Sequence, residues 1–173
     1  MDFSFSTTSL STASYRIQPL TEEEARDILD WRYPVPYDFY DPPEPEDIDA
    51  LIQEFVDPAN GFYGIRDAEY GFVGFCSFGE DGQVAGGCYE EPALDIGLGM
   101  RPELIYQGRG TQFFRAIVAY ATETLAANPL RLTVANFNSR AIRIYHRLGF
   151  EITSQFLDAN HRVPYTIMVR RPG

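Results

Sequence analysis

The stretch LDIGLGMRPELIYQGRGTQFF, residues 94–114, changes period in its middle. From Leu94 to Met100 apolar residues alternate with Asp95, Gly97 and Gly99, the two-residue repeat of a strand. Beyond it Phe114, Ile117, Val118, Ala121 and Leu125 fall on one helical stripe. The join is Gln107-Gly108-Arg109-Gly110-Thr111. Glycine lets backbone N–H groups approach a ligand with no Cβ in the way, and a helix N-terminus offers free amides and the positive end of the dipole. With Arg109 inside it and Arg101 nearby, the turn suits an anion. A plain turn before a helix is the alternative. A dinucleotide fingerprint would need a third glycine where Phe113 stands.

Outward from this join the remaining elements follow. YRIQPL (15–20) reads as a strand, and Thr21 with Glu24 forms a capping-box pattern opening a helix to about Trp31. Prolines at 34, 36, 42, 43 and 45 then impose an aromatic-rich loop. Residues 46–56 return to helical period, and two strands follow, turning through Asp67-Ala68-Glu69. After the central join come a strand (LRLTVA), a helix capped by Asn138 and ended by Gly149, and two closing strands. The expected order is β-α-α-β-β-β-α-β-α-β-β, a mixed sheet with helices packed on it. Residues 1–14 read as a disordered polar tail without the pattern of a secretion signal, and 15–173 as a single domain. No apolar run approaches the roughly 20 residues that span a bilayer, so no membrane contact and a cytoplasmic location are expected. Free thiols are the default for Cys76 and Cys88, with a disulfide left open.

Charge narrows the function. A net charge of −11 argues against general nucleic-acid binding. Residues 1–100 hold four arginines against 21 acidic residues, and residues 101–173 hold ten against four. That division fits two ligands of opposite sign, or simply an acidic solvated surface. The chain has no lysine, which excludes a lysine-dependent phosphate loop and Schiff-base chemistry. Two distant histidines give no metal-site spacing, so no metal is expected.

The 94–114 stretch followed by VANFNSRAIRIYHRLGFE resembles the GNAT superfamily of acetyl-CoA-dependent N-acyltransferases. Gln107 and Gly110 match its pyrophosphate motif, with Gln112 replacing the last small residue and a longer link from Pro102. Asn138, Ala141, Tyr145, Gly149 and Phe150 match its second motif in register. The resemblance implies an α+β fold: a GNAT-like mixed, mostly antiparallel sheet of about seven strands flanked by about four helices. It implies acetyl-CoA as co-substrate, held by Leu98, Gly99 and Met100, by Gln107, Gly108, Arg109, Gly110 and Thr111, and by Asn138. It further implies Tyr145 as the acid for the departing thiolate and Asp95 as the base, with Glu80, Glu90 and Glu91 as rivals. The bare strand face at Gly97 and Gly99 fits a ligand or, alternatively, a closely packed neighbour.

Trp31, Tyr33, Tyr37 and Asp38, with Phe39, Tyr40 and Asp41, are expected to receive an amine cation, though the aromatics also suit core packing. His146 reads as a surface residue and His161 as a candidate for the entrance. The function expected is N-acetyltransfer to a primary amine of a small molecule or peptide, by a monomer or homodimer. A non-catalytic acyl-CoA sensor or scaffold is the alternative, and a nucleotide-binding regulatory domain a third.

Overall fold

One seven-stranded sheet carries every predicted strand, in the spatial order β1-β2-β3-β4-β5-β7-β6. The computed structural model describes residues 15–173; the tail expected over 1–14 lies outside the described residues. The strands are β1 (Tyr15–Pro19), β2 (Phe62–Asp67), β3 (Gly71–Phe78), β4 (Leu94–Met100), β5 (Leu130–Ala135), β6 (Glu151–Leu157) and β7 (Pro164–Arg170). The helices are α1 (Glu22–Leu29), α2 (Ile48–Val56), α3 (Gly110–Ala119), which ends in one π turn, and α4 (Ser139–Arg147). Neighbouring strands are antiparallel except β4 and β5, which run parallel.

Local chemistry sets the boundaries. The Thr21 hydroxyl accepts from the Glu24 amide at 3.2 Å while the Glu24 carboxylate accepts from the Thr21 amide at 3.1 Å. That reciprocal pair starts α1. Asp47 caps α2 and Asn138 caps α4 through accepted amide bonds of 3.0 and 3.2 Å. Gly149, at φ +88°, takes the left-handed conformation that ends α4.

The sheet separates two apolar clusters. α3 and α4 cover one face, where Phe113, Phe114 and Ile117 pack on Ile65, Ile96, Leu132 and Met168. α1 and α2 contribute Ala25, Ile28 and Ile52 to the other, with Trp31, Phe62, Phe72 and Phe75. The β2–β3 register shifts at Ile65/Arg66, which lets Val73 and Cys76 face one cluster while Phe72 and Phe75 face the other. Leu125, expected on the α3 stripe, is 39% exposed because the π turn carries it past the core.

Candidate active site

β4 and β5 pair only over Leu94↔Leu130, Asp95↔Arg131 and Ile96↔Leu132. Beyond that point the strands part, although β4 stays paired with β3 to Met100 and β5 with β7 to Ala135. The gap opens a cavity of about 1020 Å³ lined by Ile96–Met100 and Leu132–Ala135. Its edges are strand backbone without a strand partner, a ready source of donors and acceptors.

The glycine turn forms one end of this cavity. Gly108 sits at φ +71° with open space where a Cβ would be, and Tyr106 also takes a positive φ, of 66°. Arg109 is the N-cap of α3 and makes no side-chain cap bond, so the amides of the first turn have no side-chain acceptor there. Gly108, Arg109, Gly110 and Thr111 line the cavity, and so do Leu98, Gly99, Met100 and Asn138. Gln107 does not; its amide donates to the Glu103 carbonyl at 3.0 Å. The Arg109 guanidinium lies 4.2 Å from the Tyr70 ring centre. Arg101 pairs with Asp27 and donates to the Phe72 carbonyl at 2.9 Å, so its charge is spent against α1 and β3 rather than at the turn. α4 supplies along its length what the sequence reading did not name: Arg140, Arg143 and, in its last turn, Arg147 line the cavity. Their spacing of three and four residues along a helix is the signal that marks them as one stripe. The Arg140 guanidinium sits 4.5 Å from the Tyr106 ring centre, across from α4 to the glycine turn.

Tyr145 lines the same cavity from α4, packed edge-on to Phe114 at 4.6 Å. Burial pushes its phenol well above the ordinary value of 10.0, with Tyr40 adding to the rise. Burial likewise pushes Tyr40 up to about 12, against the lowering effect of a bond from the Asn138 amide at 3.2 Å.

Asp95 is placed differently from the expectation. Both of its oxygens accept from Arg131, at 2.6 and 2.7 Å, and Gln83 donates to it at 2.9 Å. The two side chains are 4% and 6% exposed, and Asp95 is not part of the cavity wall. A carboxylate so fully paired has no free face for an amine. The bare face at Gly97 and Gly99 is filled too. A Cβ at Gly97 would collide with Ser77 Oγ and stand 3.3 Å from Asp81, and one at Gly99 would collide with the Phe75 ring. Those glycines admit neighbouring protein.

The loop from Trp31 to Asp41 reaches both walls of the gap. Tyr33 donates its hydroxyl to the Met100 carbonyl at 2.6 Å, and its own amide donates to Asp41 at 2.7 Å. Tyr37 packs on Tyr106 and Phe137 at 5.8 and 6.2 Å, while Phe39 meets Phe137 and Tyr165. Trp31, Tyr33, Tyr37, Phe39 and Tyr40 line the cavity, whereas Asp38 and Asp41 do not. Trp31 is also a core residue, 4% exposed between Phe72 and Phe75. Glu80, Glu90 and Glu91 stand outside the wall, as do His146 and His161. Asp81, unremarked in the sequence, is the one carboxylate in the wall among the described residues. Cys76 is buried, its thiol pushed up to about 12 by burial, and Cys88 is exposed; both are free.

A family model described as "Acetyltransferase (GNAT) domain" matches residues 15–151. No curated protein sequence matches significantly. Among solved structures, the chain is similar to a chimera of spermidine N-acetyltransferase SpeG from Vibrio cholerae and hSSAT, with TM-score 0.71 and 18% identity over 91% of this chain and 95% of that one. It is also similar to a GNAT-family acetyltransferase from Bacillus anthracis, with TM-score 0.65 and 13% identity over 92% and 96%. A third is the Campylobacter jejuni N-acetyltransferase PseH in complex with acetyl coenzyme A, with TM-score 0.63 and 20% identity over 92% and 100%.

Proposed function

The chain belongs to the GNAT acetyltransferase family, and from that premise we propose that it transfers an acetyl group from acetyl-CoA to a primary amine by direct attack. The observation that carries this reading is the parting of β4 and β5 between the α3 turn and Tyr145, all within one cavity. The donor's pyrophosphate fits the first amides of α3 at Gly108–Thr111, and its further phosphate fits Arg140, Arg143 and Arg147. The pantetheine arm fits the open edge of β4 at Leu98–Met100 beside Asn138. Acetyl coenzyme A in the PseH complex supports the same choice of donor.

The acceptor's ammonium group first gives up one proton to solvent, and the neutral amine then attacks the thioester carbonyl carbon to give a tetrahedral oxyanion, which backbone N–H groups of β4 stabilise. The carbon–sulfur bond then breaks. Tyr145 holds its proton at working pH and donates a hydrogen bond to the departing sulfur. A phenol above pKa 10 is a weaker acid than a thiol near ~8.5, so Tyr145 acts chiefly as a donor. Any phenolate formed is reprotonated by the proton that the amine gives up, and the net transfer is from amine nitrogen to CoA sulfur.

The test is a thermal-shift titration with acetyl-CoA, CoA, NAD and ATP, followed by turnover of the Tyr145→Phe variant. Saturating acetyl-CoA or CoA should stabilise the fold by roughly 2.7 kcal/mol at 100 times Kd, and NAD or ATP should not. Tyr145→Phe should lower kcat by about 10²-fold with the CoA shift unchanged. A shift with NAD or ATP alone overturns the donor assignment. Full activity in the variant overturns the role of Tyr145.

A further inference from the structure

We propose that the acceptor is a monoamine with an aromatic or apolar body, and that Asp81 is the carboxylate that receives its ammonium group. This rests on the acetyltransferase reading above and names the substrate class of that site.

Asp81 lies in a short 3-10 turn, Glu80–Gly82, between β3 and β4. Ser77 Oγ donates to its Oδ2 at 2.9 Å, and no other side-chain hydrogen bond to Asp81 is present among the described residues. Its second oxygen is therefore available. The absent side chain at Gly97 lets this carboxylate lie against β4 at the residue where β4 and β5 separate. That is the α1/α2 side of the sheet, since Phe75 beside Gly99 belongs to the cluster formed with those helices. The arginine stripe of α4 lies on the opposite side, with α3. A cation entering at Asp81 and an anion entering at the arginines would approach the gap from its two faces.

The turn is held in place. Gly79 donates to the Asp95 carbonyl at 2.9 Å, Gln83 donates to the Asp95 carboxylate, and Val84 donates to the Tyr89 hydroxyl at 2.9 Å. Tyr89 in turn shares a 2.8 Å hydrogen bond with Thr133 of β5. The Asp95–Arg131 pair thus has a use: it fixes the segment that presents Asp81.

The lining decides the class of amine. Besides Asp81, the cavity wall offers Tyr33, Tyr37, Phe39, Tyr40 and Tyr165, which provide area and aromatic faces for one cation. A polyamine brings two or more ammonium groups, and within this wall each one beyond the first meets aromatic faces; Glu54 and Glu80 line a separate, smaller cavity that shares Asp81, Phe55 and Phe62 with this one. Desolvating an unpaired charge is strongly unfavourable. One carboxylate in an aromatic cavity therefore selects one ammonium on an apolar body.

The test uses the full chain with acetyl-CoA and follows loss of the thioester's ultraviolet absorbance. Phenethylamine, tryptamine, putrescine and spermidine are compared in the parent protein and in Asp81→Asn. The expected kcat/KM for the aromatic monoamines exceeds that for spermidine by about tenfold or more. Asp81→Asn should raise the phenethylamine KM by roughly tenfold or more, with the acetyl-CoA KM within about twofold. Spermidine or putrescine as the better acceptor overturns the proposal, and so does an unchanged amine KM in the variant. A normal CoA thermal shift with no turnover of any of the four amines also overturns the acceptor class but leaves the donor site standing. Absence of the CoA shift removes the donor reading itself, which separates the two failures.

Discussion

Asp95 shows how one residue's surroundings override its position in a motif. In the sequence it is a lone carboxylate beside two glycines, and its partner Arg131 is 36 positions away. No local pattern announces that pairing, so a base and a buried ion pair look the same until the parallel register aligns Asp95 with Arg131. The pair holds the carboxylate against Arg131 and outside the cavity wall, and it predicts a large structural effect. Asp95→Asn leaves the Arg131 guanidinium buried and poorly paired, a change that typically costs about 3–5 kcal/mol. For a domain of this size that lowers Tm by roughly 6–20 °C. A thermal melt of the variant checks it, and a loss under about 1 kcal/mol would mean that the pair behaves as an exposed one. Gly97 and Gly99 went the same way. Their missing side chains were visible in the sequence, but what occupied the space, Asp81 and Phe75, lies in segments whose approach only the fold determines.

At the scale of elements, periodicity and caps carried nearly all the information. β4 has the limits that alternation predicted, β5 covers the LRLTVA stretch read as a strand, and α4 begins at the Asn138 cap. Elements built by local rules are legible locally. The aromatic loop after α1 was not, because prolines say where a helix stops and nothing of where the chain then goes. Its seat across the gap comes from the Tyr33–Met100 bond and the contacts of Tyr37 and Phe39 with Tyr106 and Phe137. The β6–β7 turn is another tertiary device. Asp158 accepts amide bonds from Asn160, His161 and Val163 at 3.3, 3.0 and 2.5 Å. Burial alone would raise its pKa, but these three bonds bring the carboxyl below its ordinary value of 3.8. A depressed folded value stabilises the protein above the unfolded pKa, and that contribution is lost as pH falls through the folded value. Asp158→Asn should therefore lower Tm at pH 6, while the gap to the parent narrows below pH 3.8. Melts across that range decide it; a gap that stays constant with pH would show that the carboxylate's charge is not what holds the turn.

For the whole molecule, the acidic-then-basic division of the sequence becomes a division between the two faces of the sheet. α1 and α2, with Glu22, Glu23, Asp27, Asp49 and Glu54, cover one side, and α3 and α4, with Arg115, Arg140, Arg143 and Arg147, cover the other. The β4–β5 gap runs between them, so the fold turns a linear charge asymmetry into opposed approach paths for an anionic donor and a cationic acceptor. Long-range attraction of this kind is screened by salt, since the Debye length falls from about 30 Å at 0.01 M to about 8 Å at 0.15 M. The KM values for both substrates should accordingly rise several-fold over that range, with kcat nearly constant. Arg140→Glu separates the faces. It should raise the acetyl-CoA KM and flatten its salt dependence, because the reversed charge removes part of the attraction that salt screens. The salt dependence of the amine KM should persist, because the acidic face is untouched. Steady-state kinetics at four or five ionic strengths would show this pattern; equal flattening for both substrates would mean that net charge, and not its arrangement about the gap, governs approach.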